Sequence, residues 1–90
     1  MIKVLKVAGN SLYPHLKEGQ IIICLKVYKF SSINIGDIVV FSKSPYGLMI
    51  KQVKRINKGQ FFVQGTDPMS IDSRNFGAIA RTDIQYKKIF

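Results

Sequence analysis

Apolar and polar residues alternate along the chain in short runs, which are separated by glycine, proline, asparagine and serine. Period-two alternation is typical of strands, and no apolar pattern of helical period persists beyond one or two turns. The pattern therefore predicts an all-β fold. The predicted strands are 2–7, 20–28, 37–41, 49–56, 61–64, 77–80 and 85–89, with turns at 44–47, 57–59 and 65–68.

The first predicted strand alternates apolar residues with lysines. Its apolar positions are Ile2, Val4 and, less regularly, Val7, and its lysines are Lys3 and Lys6. Alternation of this kind is typical of a strand.

Helix is expected only between Ser11 and Glu18, where the chain has room for about one turn. Ser11 is a candidate N-cap, because its hydroxyl can accept a backbone N–H, and Gly19 is a suitable end. The default interpretation of Ser11 from its position alone is therefore a structural cap.

The length and charge of the chain limit the kinds of protein that it can be. The chain has 90 residues, which predicts a single domain over residues 1–90, and its 14 Lys and Arg against 5 acids give a net charge of +9. Such a charge favours nucleic acid, anionic lipid or acidic proteins as partners. The longest apolar run, 21–25, is far too short to cross a membrane, and no signal segment is present, so we expect a cytoplasmic protein without a membrane span.

Cysteine and histidine are too scarce for a metal site. The chain has one cysteine, Cys24, which lies among isoleucines, and one histidine, His15. We expect Cys24 to be a buried, unreactive thiol, and we expect neither a metal nor another cofactor.

Ser11 also has the setting of a nucleophile. It follows a strand and is preceded by Gly9 and followed by Pro14, so a tight turn presents its hydroxyl and can aim backbone N–H groups at a reacting carbonyl. His15 has no obvious carboxylate to orient it, so a Ser-His-Asp set is not credible and a lysine is the remaining base.

Lys51 is the lysine best placed for that role. In the predicted strand 49–56, Lys51 shares a face with Met49 and Val53, whereas Lys54 shares the other face with Gln52. Apolar neighbours favour the neutral amine that a general base requires. The competing interpretation is a solvated lysine on an edge strand.

The segment 65–77 is polar and contains two of the five acids, with Arg74 two residues after Asp72. Its default interpretation is a loop between strands that is held by a local ion pair. Ordered polar loops of this kind often border a site.

Four sequence boxes occur in the order found in a known superfamily. They are Gly9-Asn10-Ser11-Leu12-Tyr13-Pro14-His15-Leu16, Gly36-Asp37-Ile38-Val39-Val40-Phe41, Ile50-Lys51-Gln52-Val53 and Ser70-Ile71-Asp72-Ser73-Arg74-Asn75-Phe76-Gly77. Together they resemble the signal peptidase I-like (S26) and LexA-like (S24) serine-lysine peptidases. The resemblance implies a small, strongly bent β-sheet or partly open barrel, and it outweighs the structural interpretations of Ser11 and Lys51.

The resemblance also implies roles for individual residues. Ser11 resembles the nucleophile, with its N–H in the oxyanion hole, and Lys51 resembles the general base. Ser70 corresponds to the position that hydrogen-bonds the lysine. The residues around this dyad are Gly9 and Asn10 beside the oxyanion hole and Asp72 with Arg74 as a loop-holding ion pair.

Departures from the family pattern concern the surroundings of the dyad. Leu12 stands where methionine is usual, His15 stands where threonine is usual, and Gly65-Thr66-Asp67-Pro68 replaces the commoner Gly-Asp-Asn. Gly9 supplies no hydroxyl to the oxyanion hole. These differences bear on substrate preference and rate.

Because we expect neither a membrane anchor nor a DNA-binding domain in so short a chain, it resembles most the nickel-type superoxide dismutase maturation proteases. The expected activity is a serine endopeptidase that removes an N-terminal propeptide or signal-like segment, with the substrate peptide bound extended. The ten residues before Ser11 make self-cleavage an unfavoured alternative.

Two non-catalytic alternatives remain open. One is a small basic β-domain that binds nucleic acid through its lysines and through aromatics such as Tyr46, Phe61 and Phe62. The other is a catalytically silent domain that docks an acidic protein. The nucleic-acid alternative leaves the segment 70–74 unexplained, so nucleic acid is the less favoured partner.

Overall fold

The prediction of an all-β fold is confirmed by a computed structural model, which describes residues 1–29 and 31–90. Seven strands are present in that part of the chain, close to the predicted segments. Their bounds are β1 Ile2–Lys6, β2 Ile21–Lys26, β3 Ile38–Lys43, β4 Gly47–Asn57, β5 Gln60–Gln64, β6 Ile79–Ala80 and β7 Ile84–Lys88. A four-residue helix, α1 Ser73–Phe76, and a 3₁₀-helix, Arg81–Asp83, complete these elements.

All the strands belong to one antiparallel sheet in the order β1-β2-β7-β3-β4-β5-β6. No pairing within the described residues joins β1 to β6, so the sheet is open. Register shifts occur in β3 after Val40 and in β4 between Val53 and Arg55. Such irregularities bend strands, and they allow one sheet to carry two separate cores.

The two cores lie on opposite faces of the central strand β3. Val39 and Phe41 of β3 point into one core, and Val40 points into the other, as alternation requires. The first core consists of Ile33, Val39, Phe41, Val53, Phe61, Val63, Ile79 and Ile84. The second consists of Val7, Leu12, Leu16, Ile22, Cys24 and Val40, and it includes residues from the turn that follows β1.

The two faces of β1 differ in their exposure. Ile2 and Val4 are exposed at 64% and 61%, whereas Leu5 is half-buried and packs against the second core. Ile2 lies opposite Leu25, and Lys6 lies opposite Ile21, so these residues share an outer sheet face. Leu5 in β1 and Val7 just after it point to the opposite, buried side and pack in the second core. We call the exposed residues Ile2, Val4, Ile21 and Leu25 the outer aliphatic face.

The helix expected between Ser11 and Glu18 does not form. Residues 11–18 form turns with one helix-type bond, from the Leu16 N–H to the Leu12 carbonyl at 3.1 Å, and no assigned helix. Phe61 is not a surface aromatic, because it is buried in the first core. Cys24 is fully buried as predicted, and burial raises the pKa of its thiol, an effect that nearby Lys88 partly offsets. None of the described helices is long and apolar enough to cross a bilayer.

Candidate active site

Ser11 lies in the turn between β1 and β2, and its backbone is held from across the molecule. Its carbonyl accepts the N–H of Thr66 at 2.7 Å, the N–H of Asp67 at 3.2 Å and the Thr66 hydroxyl at 3.2 Å. The Thr66 hydroxyl also donates to the Tyr13 carbonyl at 2.6 Å. Leu12 and Leu16, both buried, fix the other side of the turn. The serine is therefore anchored to the loop that follows β5.

Gly65 allows this close approach. A Cβ at position 65 would lie 2.5 Å from the Ser11 carbonyl oxygen and 2.7 Å from the Ser70 hydroxyl oxygen. Contacts this short do not occur, so the two loops can meet only if residue 65 has no side chain. Gly65 is needed for space and not for an unusual backbone angle.

Lys51 projects from β4 into an apolar setting. It lies opposite Val39 in the register, shares a face with buried Val53 and half-buried Met49, and is itself only 4% exposed. Within the described residues, its amine has no hydrogen bond and no ion pair. An ammonium group without such partners is poorly stabilised in an apolar environment.

The pKa of Lys51 is lowered from its ordinary value. Burial is the largest cause, because it penalises the charged form. Asp72 acts against burial and raises the pKa, Arg74 lowers it, and Asp67 raises it. The net direction favours the neutral amine, which is the form that can accept a proton.

Ser11 and Lys51 line the same cleft, which has a volume of about 290 Å³. Most of the other lining side chains are apolar, and no carboxylate lines the cleft in the described part of the chain. The lining residues are Leu5, Lys6, Val7, Ala8, Ser11, Ile22, Val40, Tyr46, Leu48, Met49, Ile50 and Lys51. Ser11 and the buried residue Lys51 thus line one small, mostly apolar cleft.

Asp72 is the centre of a hydrogen-bond network behind the cleft. Its fully buried carboxylate accepts the Gly65 N–H and the Ser70 hydroxyl, both at 2.9 Å. It also accepts the Arg74 backbone N–H at 3.0 Å and the Arg74 guanidinium at 2.9 and 2.7 Å. Burial alone would raise the pKa of Asp72, but these donors hold it well below its usual range.

The network also begins α1. Asp72 is its N-cap, and the Asn75 side chain returns a bond by accepting the Asp72 N–H at 3.1 Å. The adjacent Ser73 hydroxyl accepts the Val63 N–H at 2.9 Å. The segment predicted as a loop is thus a capped helical turn fastened to β5.

Ser70 hydrogen-bonds the ion pair of Asp72 and Arg74. Its hydroxyl donates to Asp72 and accepts from Arg74 at 3.1 Å. No hydrogen bond joins Ser70 to Lys51 in the described residues. The Ser70 oxygen retains one further lone pair, and its role toward the lysine stays a prediction.

Gly9 and Asn10 lie outside the cleft lining. Gly9 has a φ of +80°, which reverses the chain after β1, and the Asn10 side chain accepts the Glu18 N–H at 3.3 Å. These two residues shape the turn that carries Ser11. The Ser11 N–H has no acceptor in the part of the chain that the structure describes, so it remains available to a ligand.

Three residues of the site were not singled out from the sequence. Gly65 and Thr66 contact the Ser11 carbonyl, and Lys6 lines the cleft. The glycine before a polar loop was the available signal for the first two. Nothing in the spacing places Lys6 at the cleft, because in the sequence it is only one of the alternating lysines of the first strand.

Comparison with known proteins adds a family relationship. Residues 2–86 match the family model described as Peptidase S24-like. A search of curated proteins finds no match to the chain. The matched region contains both sides of the cleft and the network around Asp72.

Proposed function

Because the chain belongs to the Peptidase S24-like family, whose members are serine-peptidase-like hydrolases, we propose that it is a serine endopeptidase with a Ser11–Lys51 dyad. The observation that carries the proposal is that Lys51, a buried lysine whose amine has no hydrogen-bond or ion-pair partner in the described residues, lines the same cleft as Ser11. The lowered pKa of Lys51 agrees with the role of a base.

The proposed reaction is an acyl transfer in two steps. Neutral Lys51 takes the Ser11 proton, the Ser11 oxygen attacks the scissile carbonyl, and the Ser11 N–H stabilises the oxyanion. The Lys51 ammonium then gives its proton to the leaving amine, so the peptide C–N bond breaks and an ester forms. Water, deprotonated by Lys51, hydrolyses this ester and restores Ser11.

An extended substrate fits the strand edges beside the cleft. The Val7 N–H donates to the Gln20 carbonyl, so the odd residues of β1 bond β2 and the even residues point to the free edge. In β4, the Val53 N–H donates to the Asp37 carbonyl, and β5 pairs only from Gln52 onward. Leu48 and Ile50 therefore direct their backbone groups to a side without a strand. A peptide strand added at such edges gains main-chain hydrogen bonds.

The proposed substrate is a protein with an N-terminal propeptide or signal-like segment, and the precursor of nickel superoxide dismutase is the candidate. The argument for this choice is that a short chain with these sequence boxes resembles the nickel-type superoxide dismutase maturation proteases. Burial of Phe61, and the Arg55 guanidinium 4.5 Å from the ring of Phe62, make a nucleic-acid stacking surface the weaker alternative.

Incubation of the purified chain with the dismutase precursor tests the proposal, with intact-mass spectrometry as the readout. Ser11→Ala and Lys51→Ala are each expected to reduce the cleavage rate at least about 10³-fold, since loss of either dyad member removes the activated nucleophile. Lys54→Ala is the matched control, because Lys54 is an exposed lysine on the same strand.

Cleavage by Lys51→Ala at the wild-type rate would overturn the dyad. If the precursor stays intact while a library of proteome-derived peptides is cut in a Ser11-dependent manner, the dyad stands and the dismutase assignment fails. The two parts of the proposal are thereby separated.

A further inference from the structure

Lys6 is a cation at the rim of the cleft, with its side chain on the outer sheet face, and the proposed reaction does not use it. It is the last residue of β1, is exposed, and lines the cleft together with Ser11 and Lys51. Its amine has no hydrogen bond or ion pair within the described residues. Since no described carboxylate lines the cleft, nothing in that lining neutralises it.

We propose that Lys6 determines specificity by pairing with an acidic side chain of the substrate, so that the preferred segment combines an aspartate or glutamate with small apolar residues. This inference rests on the proposed function, because it assigns the substrate class of the same cleft. The proposed contact joins the Lys6 amine to one carboxylate of a peptide strand bound along the edge of β1.

The backbone of β1 fixes where that contact would form. Lys6 is an even residue of β1, so its N–H and carbonyl point to the free edge. A peptide strand paired there places one of its residues directly opposite Lys6 with the side chain on the same face. Opposite charges in such cross-strand positions attract, and like charges repel.

The apolar lining of the cleft favours apolar residues next to the acidic residue of the bound peptide. Leu5, Val7, Ile22 and Val40 are aliphatic and half-buried or buried, and the volume of about 290 Å³ holds only one or two side chains. An apolar residue of the peptide would occupy this space, while the acid remains at the rim with Lys6. The net charge of +9 also attracts acidic segments over a longer range.

Lys3 provides the matched control. It is also an exposed lysine on β1, but it does not line the cleft and its backbone groups bond β2. A general function of edge lysines, such as prevention of strand-to-strand aggregation, would depend on both residues alike. Recognition in the cleft would depend on Lys6 alone.

The experiment selects peptides by binding, so that it does not depend on cleavage. Random 12-residue peptides displayed on phage are selected on immobilised Ser11→Ala protein and on the same protein with Lys6→Glu or Lys3→Glu. Peptides from the parent and from Lys3→Glu are expected to carry Asp or Glu at a constant distance from an apolar residue. Lys6→Glu is expected to lose that enrichment and to favour Lys or Arg there.

Affinity measurements on one selected peptide complete the test. Replacement of its acid by Gln or Asn is expected to weaken binding to the parent about five- to tenfold in low salt, an effect that 0.5 M NaCl reduces and Lys6→Ala abolishes. The inference is overturned if no peptide is selected, if selected peptides carry no acid at a fixed position, or if Lys6→Glu keeps the parental preference. Acid-dependent selection without any cleavage would instead reject the peptidase and leave the recognition in place.

Discussion

At the scale of single residues, the contact between Gly65 and the Ser11 carbonyl decides where the candidate nucleophile lies. The carbonyl is held by N–H groups of the loop after β5, and the absence of a side chain at position 65 allows that loop to come close. The other glycines have positive φ angles and open space around them, so glycine is favoured there by the backbone conformation. Gly65 has a steric function instead.

Gly65→Ala is therefore expected to reduce kcat/KM about 10²-fold, because its Cβ would clash with both the Ser11 carbonyl and the Ser70 hydroxyl, and small displacements of reacting groups have effects of this size. Steady-state peptide cleavage at 20 °C measures the loss. Thr66→Ser, which keeps the hydroxyl that bonds the Ser11 and Tyr13 carbonyls, is the control and should stay within about threefold of wild type. Full activity in Gly65→Ala would show that the loop position is not critical.

At the scale of elements, the capped turn before α1 controls the electrostatic environment of Lys51. A buried carboxylate near a lysine stabilises the ammonium, and Asp72 acts in this direction. Arg74 neutralises much of that effect by holding Asp72 at 2.7 Å. The ion pair thus keeps Asp72 from increasing the proton affinity of the base, and Arg74 is a positioning residue.

Arg74→Gln is expected to raise the pKa of Lys51, because it removes a cation and leaves the Asp72 charge less compensated. The rising limb of the pH–rate profile should move to higher pH. For each pH unit of movement, the rate at neutral pH falls about tenfold. Activity should return at alkaline pH, which a purely structural defect would not produce.

Two controls define this prediction. Arg74→Lys keeps a cation and should restore most of the wild-type profile, whereas Arg81→Gln makes the same change of charge at a residue that is not among the charges acting on Lys51. A loss of activity in Arg74→Gln that is equal at all pH values would contradict the electrostatic role.

The elements were largely predictable from the sequence, and the exceptions have physical reasons. Glycine and proline punctuation located all seven strands to within a few residues. The helix α1 was missed because four residues are too few to show periodicity, and only its cap residue Asp72 marks it. The sequence does not decide which face of β1 is buried, because Ile2 and Val4 fit one alternating pattern and Leu5 and Val7 fit the other, and only the pairing with β2 distinguishes them.

The candidate site was predictable only in part. Alternation along β4 was enough to select Lys51, because its face depends on local geometry alone. The approach of residues 65–67 to Ser11 depends on the order of seven strands, in which β7 lies between β2 and β3. Such long-range pairing is not encoded in a local pattern, so the glycine before the polar loop could mark Gly65 and Thr66 but could not show that they approach Ser11.

At the scale of the whole molecule, the buried lysine lowers the stability of the fold. At neutral pH the folded state must either bury an ammonium or release its proton, whereas the unfolded chain keeps Lys51 charged in water. Because the folded pKa is lowered, stability increases as pH rises from the folded pKa toward the unfolded value near about 10.4.

Lys51→Met is expected to increase the free energy of unfolding by about 1 kcal/mol at pH 7 while abolishing cleavage. The difference from wild type should shrink as pH approaches about 10.4, since wild-type Lys51 is then neutral in both states. Urea denaturation at pH 7 and at alkaline pH measures both effects. An unchanged or lower stability of Lys51→Met at pH 7 would mean that the amine is well solvated in the folded protein.

The outer aliphatic face influences how the molecules behave in concentrated solution. The outer aliphatic face exposes aliphatic side chains of two neighbouring strands to the solvent. Repulsion between molecules that each carry a net charge of +9 keeps these faces apart. That repulsion extends only about 8 Å at physiological ionic strength. Excluded salts such as sulfate weaken the repulsion and strengthen aliphatic contact at the same time. High concentrations of such salts therefore favour self-association of the domain through the outer aliphatic face.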